Sequence, residues 1–269
     1  MKKPLKKIYI EITNLCNLKC SFCSQSQRKG QNMKSDDFRR IVEQIEKYTN
    51  YVHLHVKGEP LVHPELGKIL EICGAHNINV NITTNGTLLL NKIDLLIGHK
   101  SLRQVNISLH AETDDPERYF NECVEAGNIL AKAGVFVSYR LWNGEGGLAL
   151  KQRLFDLYPE NYVKGNRITL AESTFLSLDE FWEWPQLTMP YIGEKGICNG
   201  LRHHIGILVD GTVIPCCLDG DGQASLGNIF EKSFDEIWEE NISVPRQNMY
   251  NRKLCLELCK HCSYREKFQ

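Results

Sequence analysis

Residues 7–24 read KIYIEITNLCNLKCSFCS, and this stretch decides the fold. Residues 8–13 alternate, with isoleucine at 8, 10 and 12, and read as a strand. A loop carrying Cys16, Cys20 and Cys23 follows directly. The same unit, a strand, a chemically dense loop and then a helix, recurs along the chain. Ser35 is expected to cap a helix with Asp36 and Asp37 in its first turn and Ile41, Val42 and Ile45 as its apolar stripe. Strand 51–56 ends at Gly58-Glu59-Pro60, and Pro64 opens a helix with Leu66, Ile69, Leu70 and Cys73 inward. Strand 79–83 runs into Asn85-Gly86. Helix 91–97, strand 105–109, helix 116–133, strand 135–141, helix 148–157 and a sixth strand at 168–171 complete the series.

No hairpin signal is read before residue 200. This alternation predicts an α/β fold: a parallel sheet with helices outside, curved into a full or partial (β/α)6 TIM-like barrel. Ligands of such sheets bind beyond the carboxyl ends of the strands. The cysteine loop, Gly58-Glu59-Pro60, Thr84-Asn85-Gly86 and His110 are therefore expected on one face.

The pattern changes near residue 172. Residues 173–197 hold Trp182, Trp184, Pro185 and Pro190 without a period and read as a connecting segment. Residues 205–209, Asp210-Gly211 and 212–215 read as a β-hairpin, with helical stretches at 234–240 and 254–267. The predicted organisation is a barrel over 1–172, a connector over 173–197 and a small C-terminal domain over 198–269.

The chain has 269 residues, room for one large domain and a small appendix. Hydrophobic residues at 42% and charged residues at 24% exclude wholesale disorder. A net charge of −1 argues against nucleic-acid binding driven by a global positive field. Lys2, Lys3, Lys6 and Lys7 precede only Ile8-Tyr9-Ile10 before Glu11, too short for a signal-peptide core. No run approaches the roughly 18 apolar residues of a membrane span. A cytoplasmic protein without a membrane partner is expected, in which 11 clustered cysteines read as metal ligands or catalytic groups.

Soft thiolates at the spacing of Cys16, Cys20 and Cys23 can wrap one compact metal centre. A closed zinc site wants four ligands, and no histidine occurs before His53. An iron–sulfur cube on three thiolates leaves one iron open for a substrate. A zinc site completed from elsewhere and a Cys20/Cys23 dithiol pair are the alternatives. The Cys-x3-Cys-x2-Cys pattern, with Phe22 before its last cysteine, resembles the radical S-adenosylmethionine (radical SAM) superfamily.

That resemblance implies a partial barrel, a 4Fe–4S cluster with an open iron on Cys16, Cys20 and Cys23, and bound S-adenosylmethionine. Gly58-Glu59-Pro60 resembles the superfamily's Gly-Gly-Glu-Pro, which contacts the cofactor's amino group; Lys57 stands where the first glycine would be. Thr84 and Asn85 resemble the third-strand end near the ribose, and Ser108 the fourth-strand serine. Arg140 resembles a fifth-strand arginine that binds the cofactor carboxylate. Without the resemblance, Ser108 and Arg140 are ordinary strand polarity. His110 and Lys57 are the candidate catalytic residues, as a substrate contact and a proton acceptor.

The C-terminal cysteines, with Gly211 between two of them and Leu226-Gly227-Asn228-Ile229 beyond, resemble the SPASM/twitch extension of the same superfamily. The resemblance implies one auxiliary 4Fe–4S cluster, best fitted by Cys198, Cys216, Cys259 and Cys262. Cys217 is left out, and Cys255 is a possible replacement for Cys259. A structural zinc site is the alternative. Cys73 and Cys123 read as core residues.

The resemblance implies one-electron reductive cleavage of S-adenosylmethionine to methionine and a 5′-deoxyadenosyl radical, which abstracts a hydrogen atom from substrate. The reductant would be a flavodoxin or ferredoxin. Modification of a ribosomally made peptide or protein is the first expectation. A first strand starting near residue 8 is read as leaving no fused leader-recognition domain. Oxidation of a small aminocyclitol-like or sugar-like alcohol by the same chemistry is the alternative. From other classes come a non-catalytic iron–sulfur redox sensor or scaffold, which would need no cofactor pocket, and a tRNA-modifying enzyme, which the net charge disfavours.

Overall fold

The structure is a computed structural model, which describes residues 3–24, 26–142, 145–180 and 182–268. Ten strands form one sheet in the order β10-β9-β1-β2-β3-β4-β5-β8-β7-β6. In chain order the strands are β1 (Lys7–Ile10), β2 (Tyr51–His53), β3 (Asn79–Thr84), β4 (Leu102–Ser108), β5 (Phe136–Trp142), β6 (Tyr162–Lys164), β7 (Arg167–Ala171), β8 (Thr174–Asp179), β9 (His204–Ile207) and β10 (Val213–Ile214). The helices are α1 (Ser35–Ile45), α2 (Leu66–Ala75), α3 (Ile93–Ile97), α4 (Pro116–Lys132), α5 (Glu145–Leu157), α6 (Phe234–Ile237), α7 (Ser243–Tyr250) and α8 (Glu257–Lys260). No described helix is long and apolar enough to cross a membrane.

Strands β1 to β5 and then β8 pair in parallel, as the partial barrel requires. Successive side chains on a strand point to opposite faces. The outward set, such as Ile8, Ile10, Val52, Val80, Ile107 and Tyr139, is fully buried in one core. Helix α1 adds Phe38, Ile41, Val42 and Ile45 to it, each fully buried. At roughly 1.5–3 kcal/mol per buried side chain, this stripe holds the helix more firmly than its ends do. The inward set is polar instead, with Glu11, Asn81, Asn106 and Ser138 among the buried members.

Three expectations change. The sixth parallel strand is β8, not 168–171, so residues 174–179 belong to the barrel sheet rather than to a connector. Residues 167–171 form β7, which is antiparallel to both β6 and β8. A Gly165-Asn166 turn with Gly165 at φ +59° joins β6 to β7, a hairpin before residue 200. Ser35 is the first helical residue of α1 and not its cap; Lys34 holds the cap position without a side-chain bond.

The C-terminal hairpin turns at Asp210-Gly211, with Gly211 at φ +86°. Its first strand, β9, pairs in parallel with β1 from Lys7↔His204 to Ile10↔Ile207. The C-terminal segment therefore extends the barrel sheet past its first strand.

Candidate active site

The cysteine loop is closed at its neck. Asn14 Nδ2 donates to Lys29 O (2.9 Å), and Asn14 Oδ1 accepts from Gln31 N (2.7 Å). Inside the loop, Cys23 N donates to Cys20 O (3.1 Å) and Leu18 N points at Cys16 Sγ (3.4 Å). Asn85 Nδ2 lies 3.8 Å from the same sulfur and donates to Asn17 Oδ1 (2.9 Å). Glu112 clamps the far side by accepting from Ser21 N (2.7 Å) and Ser21 Oγ (2.5 Å). Cys16 and Cys23 are exposed. Burial is the largest influence on both thiols and pushes them up; Lys57 pulls Cys23 back down. Iron binding deprotonates such thiols outright.

Gly58 sits at φ +73°, and a Cβ there would stand 2.4 Å from Thr13 O and 2.8 Å from Leu15 O. Only glycine lets this turn lie against the arm that leads to Cys16. Glu59 N then donates to Leu15 O (2.8 Å). The Glu59 carboxylate accepts from Asn85 N (2.6 Å) and Leu61 N (3.0 Å), and burial raises its pKa to about 7. It ties the second strand end to the third. Pro60 opens a short 3-10 turn behind it. Thr84 is buried, with its hydroxyl accepting from Gly86 N (3.0 Å). Ser108 is half-buried opposite Arg140 in the β4–β5 register.

Two residues that sequence reasoning passed over organise the site. Glu11 is fully buried and accepts both from Arg28 Nη2 (2.6 and 2.8 Å) and from the N–H groups of Lys57 and Val209 (3.1 Å each). One carboxylate thus joins β1, the cysteine loop, the second strand end and the C-terminal hairpin. From α4, Tyr119 places its hydroxyl within hydrogen-bond distance of both Asn85 O (2.6 Å) and Ser108 O (2.8 Å), which share its one proton. An acidic residue in a strand was the only signal for Glu11, because Val209 lies 198 residues away.

The two candidate catalytic residues both pack against the cluster loop. His110 stacks on Trp142 (centroids 4.0 Å apart, 17° between planes), with Phe22 edge-on to both. Its Nδ1 is 3.2 Å from Arg140 O, and burial lowers its pKa to about 4. The ring is a neutral stacking wall for the cluster loop. Lys57 Nζ binds Ser24 and lies 3.5 Å from the Trp184 ring centroid. A Cβ at Gly220 would meet the Lys57 stem at 2.2 Å, so the lysine occupies room that this glycine leaves. Lys57 is a strut between the cluster loop, residues near 184 and the C-terminal segment.

In the C-terminal segment Cys198, Cys216, Cys259 and Cys262 line one small cavity of about 30 Å³, walled by Leu218, Leu254, Leu258 and Tyr264. Cys217 does not line it and turns to the Tyr9 hydroxyl; Cys255 lies outside it but near enough to act on Cys259. Burial raises all four lining thiols. Arg265 is buried at the same cavity, donates Nη1 to Gly193 O (2.6 Å), and leaves Nε without a partner among the described residues. An anionic thiolate-held cluster at these cysteines would give this nitrogen a partner. Ligands of one zinc ion converge on a point about 2.3 Å from each sulfur. Among the described residues no three His, Cys, Asp or Glu side chains are so gathered.

The sequence model of the Radical SAM superfamily matches residues 10–146, just over half of the chain, and that of the SPASM iron–sulfur cluster-binding domain matches 198–263. The chain belongs to the radical SAM superfamily. With that membership come S-adenosylmethionine and a 4Fe–4S cluster, and with the SPASM match auxiliary iron–sulfur binding.

Among curated relatives, a probable GTP 3′,8-cyclase of Methanococcus maripaludis is 32% identical over 131 residues, 47% of this chain and 43% of that protein. A tungsten-containing aldehyde ferredoxin oxidoreductase cofactor-modifying protein of Pyrococcus furiosus is 29% identical over 131 residues, 47% of this chain and 35% of that one. The chain thus spans less than half the length of the curated relatives it matches. Among solved structures, BtrN in complex with AdoMet and 2-DOIA shares the fold at TM-score 0.58 and 18% identity, over 98% of this chain and 94% of that one. SuiB of Streptococcus suis bound to precursor peptide SuiA gives TM-score 0.63 and 16% identity, over 98% of this chain and 73% of that one.

Proposed function

We propose that this chain modifies a ribosomally made peptide or protein by radical SAM chemistry. The bound cluster and cofactor supply, from one electron, methionine and a 5′-deoxyadenosyl radical that takes a hydrogen atom from substrate. The chain's own residues do the rest. Cys16, Cys20 and Cys23 hold the open-iron cluster, and Gly58 fixes the arm that carries Cys16. Glu59 and Pro60 with Thr84 and Asn85 shape the cofactor edge; Phe22 and His110 wall it, and Ser108 and Arg140 face it. Cys198, Cys216, Cys259 and Cys262 hold the auxiliary cluster. The barrel then runs to residue 179 and the cluster domain from 198. Lys57 and His110 act as positioning residues.

The observation that carries the peptide reading is the mouth of the site. An open cavity of about 1020 Å³ lies between Ser21–Ser24, Glu180 with residues 182–189, and residues 263–267. An open mouth of this size admits an extended peptide. SuiB, solved with a precursor peptide, shares this fold. Oxidation of a small molecule is the second reading, supported by BtrN's match over nearly the full length of both chains. A cytoplasmic setting with a flavodoxin or ferredoxin as reductant belongs to either reading.

Production of 5′-deoxyadenosine tests the chemistry. The anaerobically reconstituted chain with S-adenosylmethionine, dithionite and a candidate precursor peptide is expected to form it. The Cys16→Ala/Cys20→Ala/Cys23→Ala variant is expected to form none. A fully iron-loaded chain that does not bind S-adenosylmethionine would defeat the reading and promote the redox scaffold.

A further inference from the structure

An open cavity of about 1010 Å³ in the C-terminal segment shares no lining residue with the site described above. It lies between residues 194–197 and residues 248 and 251–253. Lys195, Arg252 and Lys253 line it and are exposed. Glu194, the one carboxylate in its lining among the described residues, pairs with Lys260 (3.1 Å), which also holds Glu257 (3.0 Å). Four cations against two carboxylates leave the patch positive.

This charge is gathered at a local cost. Gly196 N donates to Arg252 O (3.0 Å) and Leu254 N to Glu194 O (2.7 Å), so Lys195 and Lys253 stand directly opposite each other as an antiparallel pair. The bonds flank the pair and do not join it. Side chains of such a pair share one face at the closest approach antiparallel strands allow, and like charges there are destabilising. Arg252 follows α7 at φ +59°, with its N–H on Met249 O (3.2 Å) and that of Lys253 on Asn248 O (2.9 Å). This is the helix-ending turn that favours glycine, and here it holds an arginine. The end of α7 welcomes a nearby cation, which accounts for Arg252 but not for one lysine set against another.

The same surface is the outer side of the auxiliary cavity's wall. Ile197 precedes Cys198 and Lys253 precedes Leu254, and Cys198 and Leu254 both line that cavity. A Cβ at Gly196 would stand 3.5 Å from Leu254 Cδ1 and 3.6 Å from Arg265 Cδ, so this backbone lies directly on two lining side chains. Exposed charge of one sign suits the small, polar contacts of transient electron-transfer partners, in which charge steers the encounter. A second copy meeting it with the same face would set cation against cation. The chain's net charge of −1 gives no field for a long polyanion such as RNA.

We propose that this surface docks an acidic one-electron carrier protein of the ferredoxin or flavodoxin kind, which exchanges one electron with the auxiliary cluster across the Gly196–Leu254 wall. What the cluster loses the carrier gains, with no bond made or broken. The proposal rests on the reading above for the cluster and the kind of carrier, and it gives the carrier a place away from the N-terminal cysteine loop.

Crosslinking and electron exchange test it, with a bacterial ferredoxin as the probe. A carbodiimide joins lysine amines to carboxylates, so in the reconstituted full chain mass spectrometry is expected to find ferredoxin peptides on Lys195 or Lys253. The Cys16→Ala/Cys20→Ala/Cys23→Ala variant keeps only the auxiliary cluster, and stopped-flow exchange with reduced ferredoxin then reads this surface alone. Adding Lys195→Glu/Lys253→Glu is expected to slow that exchange at least tenfold at low salt and to leave little difference at high salt. Lys195→Arg/Lys253→Arg should keep the rate while losing the crosslink. In the otherwise wild-type chain both pairs should match wild type in iron content, circular dichroism and 5′-deoxyadenosine formed with dithionite, a small reductant that needs no docking. Crosslinks only at other lysines, an unslowed Lys195→Glu/Lys253→Glu variant, or polyuridylate that displaces ferredoxin from these lysines would overturn the proposal, the last by making the surface an RNA site. Crosslinks and slowed exchange in a chain that forms no 5′-deoxyadenosine would leave it standing and defeat only the radical reading; 5′-deoxyadenosine formed alongside unslowed exchange would defeat it alone.

Discussion

The two cysteine sites, read as sites for the same kind of ligand, are built by opposite means. In the N-terminal loop, Cys16 and Cys23 are exposed, and polar struts from Asn14, Asn85 and Glu112 fix the backbone around them. In the C-terminal site, four thiols share a small apolar cavity and a buried arginine. The difference follows from the work each does. An iron that must take a substrate needs an open side, so packing cannot cover it and hydrogen bonds must supply the rigidity. A closed cluster can be wrapped in leucine, at the cost of burying its negative charge, which Arg265 would offset.

The largest disruption should come from Glu11, the carboxylate shared by both regions. Glu11→Ala would leave the Arg28 guanidinium unpaired and the N–H groups of Lys57 and Val209 without acceptors. Removing one partner of a buried pair costs about 3–5 kcal/mol. Denaturant melts are expected to show a loss of that size, with iron falling at both sites; a variant as stable as wild type would break the comparison at its hinge.

Glu59 gives a pH signature of the open site. Its pKa is raised to about 7 by burial, so the folded chain holds this proton where the unfolded chain has lost it. Its stabilising contribution is therefore complete below its ordinary pKa and is lost as pH rises through about 7. The loss is roughly 3 kcal/mol at most. Urea midpoints of the chain should fall between pH 5 and 8, and Glu59→Gln should flatten that slope. An unchanged slope would show that other groups carry it.

Arg265→Met sharpens the comparison from the closed side. A buried cation beside a cluster favours its more negative, reduced form. Its removal is expected to lower the auxiliary potential by tens of millivolts, where roughly 60 mV is a tenfold change for one electron. Potentiometric titration followed by electron paramagnetic resonance reads both clusters, and the N-terminal one should not move.

Much of this contrast was legible in the residues, because the βα alternation is a local periodicity and the cysteine spacings are short. The four thiols expected at the auxiliary site do line one cavity. What escaped was non-local or was masked by a bland local pattern. The β6–β7 hairpin turns on Gly165-Asn166 alone, between strands of 3 and 5 residues, so β8 was displaced in the reading by one strand. Parallel pairing of β9 with β1 leaves no mark on either segment. Arg265 stands in Tyr264-Arg265-Glu266-Lys267, which looks like a solvated charge run, yet it is 3% exposed.

Glu112 offers the smallest and most local test. It is an exposed residue whose carboxylate accepts two hydrogen bonds from Ser21, and those bonds hold its pKa below the ordinary carboxylate value. Exposure means that global stability hardly depends on it. Its effect is confined to the turn between Cys20 and Cys23, whose other anchor is Phe22 against His110 and Trp142. In Glu112→Ala, release of iron to a chelator under anaerobic conditions should be a few-fold faster from the N-terminal cluster only. Roughly four of about eight irons per chain should leave on that faster phase, and the other four at the wild-type rate. Denaturant midpoints should match wild type. Faster loss from both clusters, or from neither, would mean that the loop's rigidity comes from elsewhere and that the two sites are not held by different means.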